Sequence, residues 1–115
     1  GGELFVPKIP SYRITDVADA IGPNCEKPIV GIRPGEKIHE EMITASDSFS
    51  TVDLGNYFAI LPATDNFSLD NYCKSNECKP VSKSFSYDSG TNEDFLSVEQ
   101  IRYLIRENVN SKFKI

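Results

Sequence analysis

Apolar residues along the chain fall into short clusters separated by polar and proline-containing stretches. Continuous apolar runs predict three strands, a buried one at residues 4–6 and two more at residues 28–32 and 57–61. A less regular alternation predicts a fourth strand at residues 81–87. Residues 63–80 are rich in Asn, Asp, Ser and Lys, and this composition predicts a long surface loop.

Three helices are predicted from helical spacing and from their end signals. The first has Thr15 as N-cap and stops at Gly22, and a shorter one covers residues 37–43. The last begins at a capping box formed by Ser97 and Gln100. The apolar residues that recur at helical spacing are Ile14, Val17, Ala18, Ile21, Ile38, Met42, Val98, Ile101, Leu104 and Ile105.

Short strands alternating with short helices indicate an α/β fold. The length of 115 residues corresponds to one domain, so residues 1–115 are predicted to form a single subdomain. The irregular stretch at residues 63–80 is long for a self-contained domain, which favours a piece of a larger protein.

Composition excludes several classes of partner and site. The net charge is −5, so the dense Lys/Arg surface that nucleic acids require is not expected, and no apolar run approaches the roughly 20 residues of a membrane helix. The cysteines Cys25, Cys73 and Cys78, without a secretory signal, predict free thiols in a reducing cytoplasm. No metal site is predicted, because Cys73 and Cys78 have no second pair of ligands.

Motifs for catalysis are missing from the chain. There is no Gly-rich dinucleotide fingerprint, and no tyrosine is followed by a lysine four positions later, as in the proton-transfer couple of short-chain dehydrogenases. A Ser/His/Asp triad would depend on the single histidine, His39, which is better interpreted as a solvated or capping side chain. We therefore predict no catalytic, cofactor-binding or metal-ligating residue here.

The strongest candidate for binding is the sequence GIRPGEK at residues 31–37. Pro34 and Gly35 suit the central positions of a type II turn, which would bring Arg33 and Glu36 close together. An arginine fork suits a diphosphate, and a nearby carboxylate suits the paired hydroxyls of a ribose. The alternative is a surface ion pair that only stabilises the turn.

Two blocks of sequence carry a resemblance to a known family, GELFVPKIPS at residues 2–11 and GIRPGEKIHEEMI at residues 31–43. They resemble the C-terminal third of UDP-N-acetylglucosamine 4,6-dehydratases, and most closely the inverting kind that begins pseudaminic acid synthesis in bacteria. Supporting similarity lies at residues 14–16, 57–62 and 87–92 and in the final helix.

The resemblance implies a small substrate-binding subdomain that normally packs on an NAD(P)-binding Rossmann domain outside these residues. The parent would belong to the extended short-chain dehydrogenases/reductases, hold NADP on that domain, and form a UDP-4-keto-6-deoxy-hexosamine for flagellin or surface glycans. Arg33 would contact the UDP phosphates and Glu36 the uridine ribose, while Lys8, Ile9 and Pro10 would line the same pocket. The chain by itself would be inactive.

Two alternatives stay open at this point: the C-terminal part of another UDP-sugar epimerase or a retaining dehydratase, and a binding or assembly module without catalysis. The expected partner is a UDP-sugar, with neither nucleic acid nor membrane, and the expected location is the cytoplasm. The parent is expected to be a homo-oligomer. The isolated chain is expected to self-associate through exposed apolar strand faces.

Overall fold

The computed structural model describes residues 1–64 and 67–115. Along the chain the elements are β1 (Leu4–Pro7), α1 (Ile14–Ile21), β2 (Glu41–Ile43), a 3₁₀ helix (Asp47–Ser50), β3 (Thr51–Asp53), β4 (Tyr57–Ile60), α2 (Leu69–Asn76), β5 (Lys79–Pro80), β6 (Tyr87–Asp88) and α3 (Val98–Asn108). The fold is thus a mixture of short strands and helices, as predicted. One subdomain was predicted over residues 1–115, and the chain divides into two compact units, Gly1–Ile9 with His39–Thr91 and Pro10–Ile38 with Asn92–Ile115.

The first unit is built on an antiparallel sheet with the strand order β1-β4-β3-β5. β4 is an inner strand: its residue Ile60 lies opposite Leu4 of β1 on one side and opposite Thr51 of β3 on the other. The loop between β3 and β4 contains Gly55, whose φ is +89°. A type II′ hairpin turn needs this backbone conformation at its first central position, and glycine adopts it without strain.

Apolar clusters cover both faces of this sheet. Val6, Ile43 and Phe58 form one cluster, which is joined by half-buried side chains including Phe85 and Tyr87. The opposite cluster consists of the buried residues Val52, Ala59 and Leu61 with half-buried neighbours, among them Phe67, Leu69, Tyr72, Cys73 and Cys78. Successive β4 residues therefore supply opposite clusters, as expected from the two-residue repeat of a strand.

In the second unit, α1 packs against α3. Ala20 of α1 is fully buried, and Ile101 is the buried residue of α3. The guanidinium of Arg102 donates hydrogen bonds to the carbonyl oxygens of Ala20 (3.3 Å) and Asp19 (3.1 Å), so α3 satisfies carbonyls in the last turn of α1. No helix within the described ranges is long and apolar enough to cross a membrane.

Of the three strands predicted from continuous apolar runs, two are present and one is not. β1 and β4 confirm the strands at residues 4–6 and 57–61, although Val6 alone of the three β1 residues predicted as buried is shielded from solvent. Residues 28–32 form no strand. Gly31 has φ +87°, which breaks the extended conformation, and the side chains of Ile29 and Val30 are 98% and 91% exposed. An apolar run without a paired strand has nowhere to bury its side chains.

The helix predicted over residues 37–43 is also wrong. Residues 41–43 form strand β2, in which Ile43 lies opposite Tyr87 of β6. Ile43 is completely buried, whereas the two residues expected to face inward, Ile38 and Met42, are exposed. Pairing with β6 therefore decides the local structure, and the alternation of a strand replaces the helical repeat.

Residues 63–80, predicted as one surface loop, contain α2 and β5 instead, and residues 65 and 66 lie outside the described ranges. Leu69, Tyr72 and Cys73 lie at helical spacing against the second apolar cluster, which explains why a helix forms in so polar a stretch. The strand predicted at residues 81–87 shrinks to β6, and the rest of that stretch is irregular.

Helix ends follow the predictions in part. Gly22 ends α1 as predicted, but Arg13, without a side-chain hydrogen bond, occupies the N-cap position expected for Thr15. The capping box of α3 is present: the Ser97 hydroxyl accepts the Gln100 N–H at 3.2 Å, and the Gln100 side chain accepts the Ser97 N–H at 2.8 Å.

Removing this cap should weaken the protein. Ser97→Ala removes the acceptor for the Gln100 N–H, so we expect the free energy of unfolding to fall by about 1 kcal/mol. Urea denaturation followed by circular dichroism measures the change. Ser111→Ala, at an exposed position after α3, is the matched control. Equal stability of the two variants would show that the cap contributes nothing.

Asp53 joins the end of β3 to the residue that follows β1. Its Oδ1 accepts a hydrogen bond from Lys8 Nζ at 2.7 Å and one from the Gly55 N–H at 2.8 Å. Partial burial raises the pKa of this carboxyl, but the hydrogen bonds from Lys8 and Gly55 outweigh it, so the pKa lies below its ordinary value.

The lowered pKa of Asp53 predicts a defined pH dependence. Its contribution to stability is present above the unfolded pKa, about 3.9, and is lost as pH falls through the lower folded pKa. We expect Asp53→Asn to flatten the acid-side loss of stability. Because the side chain is 40% exposed, the cost at neutral pH should be about 1 kcal/mol or less. Urea titrations across the acid range measure it, with Asp94→Asn as control, and an unchanged acid limb would contradict the assignment.

Candidate functional site

The turn predicted at residues 33–36 is present. The Glu36 N–H donates to the Arg33 carbonyl oxygen at 3.1 Å, and Gly35 has φ +84°. This is the conformation that a type II turn requires at its third position, and Pro34 precedes it with a fixed φ. The local sequence therefore sets the turn without help from distant residues.

The turn brings Arg33 and Glu36 together, as predicted, but the two ends of Arg33 are held differently. Glu36 Oε2 accepts the Arg33 backbone N–H at 2.8 Å. Glu36 Oε1 lies 3.9 Å from Arg33 Nε, which is too far for a hydrogen bond, and the Arg33 side chain is 87% exposed. The carboxylate thus secures the backbone of the turn, while the guanidinium fork is presented to solvent with its donors available to a planar oxyanion.

Lys8 lies just beyond β1 and is engaged on two sides. Its ammonium forms the 2.7 Å ion pair with Asp53 and lies 4.6 Å from the centroid of the Phe58 ring. Its backbone N–H donates to the Asn56 carbonyl oxygen at 3.1 Å. An ammonium has three N–H donors, so Lys8 can bind an anionic ligand while it remains paired with Asp53.

Ile9 is held through its backbone by one side chain. The Tyr87 hydroxyl accepts the Ile9 N–H at 2.8 Å and donates to the Ile9 carbonyl oxygen at 2.8 Å. The Ile9 side chain itself is half exposed, and Pro10 follows as a half-buried residue. Neither Asp53 nor Tyr87 is predicted from the sequence, since partners 45 and 78 positions away leave no local signal.

The five predicted ligand contacts fall into two groups. Lys8 and Ile9 belong to the first compact unit, whereas Pro10, Arg33 and Glu36 belong to the second. In the first unit, Lys8 and Ile9 lie together in the segment after β1. In the second unit, the turn brings Arg33 and Glu36 together.

His39 is exposed, as predicted for a solvated histidine. Its Nδ1 lies 3.5 Å from the Ser89 hydroxyl, and its ring lies against Gly90, where an added Cβ would come within 3.0 Å. Beside it, Asp88 accepts hydrogen bonds from the Ser86 and Thr91 hydroxyls, and these lower the pKa of that carboxyl. These hydrogen bonds stabilise the turn at the end of β6.

The three cysteines are free thiols, as predicted. Cys73 and Cys78 lie on either side of the left-handed residue Glu77 at the end of α2, and the Cys78 N–H donates to the Cys73 carbonyl oxygen at 3.1 Å. Burial, together with the neighbouring Cys78, raises the pKa of the Cys73 thiol. Across residues 1–64 and 67–115 no three His, Cys, Asp or Glu side chains are grouped as a metal site would need.

Known proteins resemble this chain over most of its length. Two relatives from Campylobacter jejuni subsp. jejuni, both named UDP-N-acetylglucosamine 4,6-dehydratase (inverting), come from serotypes O:2 and O:23/36. They are 42% identical over 109 residues and 40% identical over 111 residues, and each match covers 91% of this chain but 33% of the relative. The chain therefore spans a third of the length of these curated relatives.

A solved structure has a similar fold. The X-ray structure of Pen from Bacillus thuringiensis matches with a TM-score of 0.66 and 26% sequence identity, over 93% of this chain and 32% of that chain. The family model described as "Polysaccharide biosynthesis protein" matches residues 1–62, which is more than half of the chain. This chain belongs to that polysaccharide biosynthesis protein family.

Proposed function

We propose that this chain is the UDP-sugar-binding part of an NADP-dependent UDP-N-acetylglucosamine 4,6-dehydratase. The enzyme would form a UDP-4-keto-6-deoxy-hexosamine in the cytoplasm for bacterial surface glycans or flagellin. Two Campylobacter relatives that carry the dehydratase name, at 42% and 40% identity, support the reaction class. The observation that carries the binding role is the turn at residues 33–36, where a tethered carboxylate accompanies an exposed guanidinium.

Arg33 is the proposed contact for the diphosphate. Its planar fork can donate two parallel hydrogen bonds to phosphate oxygens, which a lysine cannot do. Because the Arg33–Glu36 ion pair is loose and exposed, little of its energy has to be given up when a ligand binds. The guanidinium can therefore reach a diphosphate without undoing the turn.

Glu36 is the proposed contact for the uridine ribose. Its Oε2 is bound to the Arg33 N–H, which fixes the carboxylate in place, and its Oε1 is left in a position to accept from vicinal hydroxyls. Lys8, Ile9 and Pro10 are further proposed contacts for the UDP-sugar. In this arrangement Lys8 supplies positive charge and Ile9 supplies a half-exposed apolar side chain.

The residues that the structure describes do not fit an NADP site. α1, α2 and α3 follow the polar stretches at Arg13, Ser68 and Ser97, and none of these described helices begins at a Gly-rich loop. The dinucleotide would therefore be held by a Rossmann domain formed by other residues of the protein, on which this α/β part would pack. The chain alone should not catalyse the reaction.

The test of this function uses the full-length protein that contains these residues. Arg33→Ala should weaken UDP-N-acetylglucosamine binding by about 1.5–3 kcal/mol, or roughly 10- to 150-fold in Kd, because a charged hydrogen bond is lost. Isothermal titration calorimetry with UDP-N-acetylglucosamine and with NADP separates the two sites, and NADP affinity should not change.

Arg106→Ala is the matched control, since it removes an exposed arginine on α3. The role of Glu36 is checked in the same titrations by Glu36→Gln, which keeps the shape but lowers the acceptor strength towards hydroxyls. Unchanged affinity in Arg33→Ala would reject the diphosphate contact, and so would an equal loss in Arg106→Ala.

We also propose that residues 1–115 on their own self-associate. Ile29 and Val30 are almost fully exposed, and an unpaired apolar segment favours association with another chain. Static light scattering over a concentration series should show a rising mass, which Val30→Ser should reduce and the control Val109→Ser should not. A constant monomer mass for the unaltered chain would contradict this proposal.

A further inference from the structure

One hydroxyl holds both backbone hydrogen-bonding groups of Ile9. The phenol oxygen of Tyr87 lies 2.8 Å from the Ile9 nitrogen and 2.8 Å from the Ile9 carbonyl oxygen. A phenol has one O–H donor and acceptor lone pairs, so it can make both bonds at once. In effect Tyr87 takes the place of a neighbouring strand for this single residue.

Ile9 needs such a partner because the sheet ends before it. The ladder between β1 and β4 stops at Pro7, opposite Tyr57. Pro10 follows Ile9 and restricts it to an extended conformation, but a proline cannot fix the position of that segment in space. The two hydrogen bonds with Tyr87 do so through the backbone of Ile9.

Tyr87 is well anchored for this task. It lies on β6 opposite Ile43 of β2, and its ring belongs to the apolar cluster with Val6, Ile43 and Phe58. The ring centroid is 5.3 Å from that of Phe58, and the same Phe58 ring lies beneath the Lys8 ammonium. Phe58 therefore contacts both Lys8 and Tyr87, and Tyr87 in turn fixes the backbone of Ile9.

We propose that Tyr87 is a positioning residue for nucleotide-sugar binding, because it sets the backbone at Ile9 and thereby the direction in which Lys8 presents its ammonium to the ligand. This inference rests on the proposed function, in which Lys8 and Ile9 contact the UDP-sugar. Tyr87 does not touch the ligand, and it acts through the segment that follows β1.

The test is Tyr87→Phe in the full-length protein that contains this chain, since this change removes only the hydroxyl. We expect the Kd for UDP-N-acetylglucosamine to rise roughly 2- to 10-fold, because two neutral hydrogen bonds are lost but only part of their energy acts on ligand binding. We also expect faster hydrogen exchange at the Ile9 amide. Tyr57→Phe, at a half-exposed position on β4, is the matched control and should change neither quantity.

A double-mutant cycle with Lys8→Met separates positioning from a general structural role. If Tyr87 acts through Lys8, then Tyr87→Phe should have little further effect on Kd in the Lys8→Met protein. Thermal unfolding is recorded for each variant, and affinities are compared well below the lowest Tm. An equal loss of affinity in both backgrounds would overturn the inference.

The outcomes also separate this inference from the function on which it rests. If the unaltered protein binds UDP-N-acetylglucosamine and Arg33→Ala weakens that binding, the proposed function stands. Under those conditions an unchanged Kd in Tyr87→Phe, even with a lowered Tm, overturns the positioning role alone. If the unaltered protein does not bind UDP-N-acetylglucosamine, both fall together.

Discussion

The alternation of side chains along β4 is the constraint on which the first unit depends. Phe58 points into one apolar cluster and Ala59 into the other, so a single inner strand connects two separate packing surfaces. A slip of one residue would exchange these side chains and put an aromatic ring where only a methyl group fits. The register with Val6 on one side and Val52 on the other is therefore strongly determined.

The packing of Phe58 connects the register of β4 to the candidate binding residues. Its ring packs against Phe85 and Tyr87 at centroid distances of 5.1 and 5.3 Å, and it lies under the Lys8 ammonium. The position of the segment after β1 thus depends on core packing and on polar partners that include Asp53 and Tyr87.

The sequence predicts those features whose signals are local. The capping box at Ser97 and the turn at Arg33 each depend on residues within four positions, and both are found as predicted. β3 was missed although the dipeptide Gly55-Asn56 is a hairpin signal, because Thr51, Val52 and Asp53 are too short a run to stand out. α2 was missed because its polar composition hides the few apolar residues that face the sheet.

Predictions fail where distant pairing decides the local structure. Ile43 is drawn into a strand by Tyr87, a residue 44 positions later, and no helical repeat in the neighbouring sequence can reveal this. The opposite failure affects Ile29 and Val30, whose residue types favour a strand but which form none and are almost fully exposed. The candidate binding residues are chosen from the sequence by their residue types. The hydrogen bonds by which Asp53 and Tyr87 hold Lys8 and Ile9 could not be predicted from it.

The turn at residues 33–36 does not depend on the guanidinium of Arg33. The turn is held by the Glu36 N–H bond to the Arg33 carbonyl and by the Glu36 carboxylate on the Arg33 N–H, and both bonds use the backbone of Arg33. Any side chain at position 33 would allow them. An ion pair of 3.9 Å at an 87% exposed guanidinium adds little stability. Since the turn has no need of the guanidinium, the proposed contact with a diphosphate would leave the turn intact.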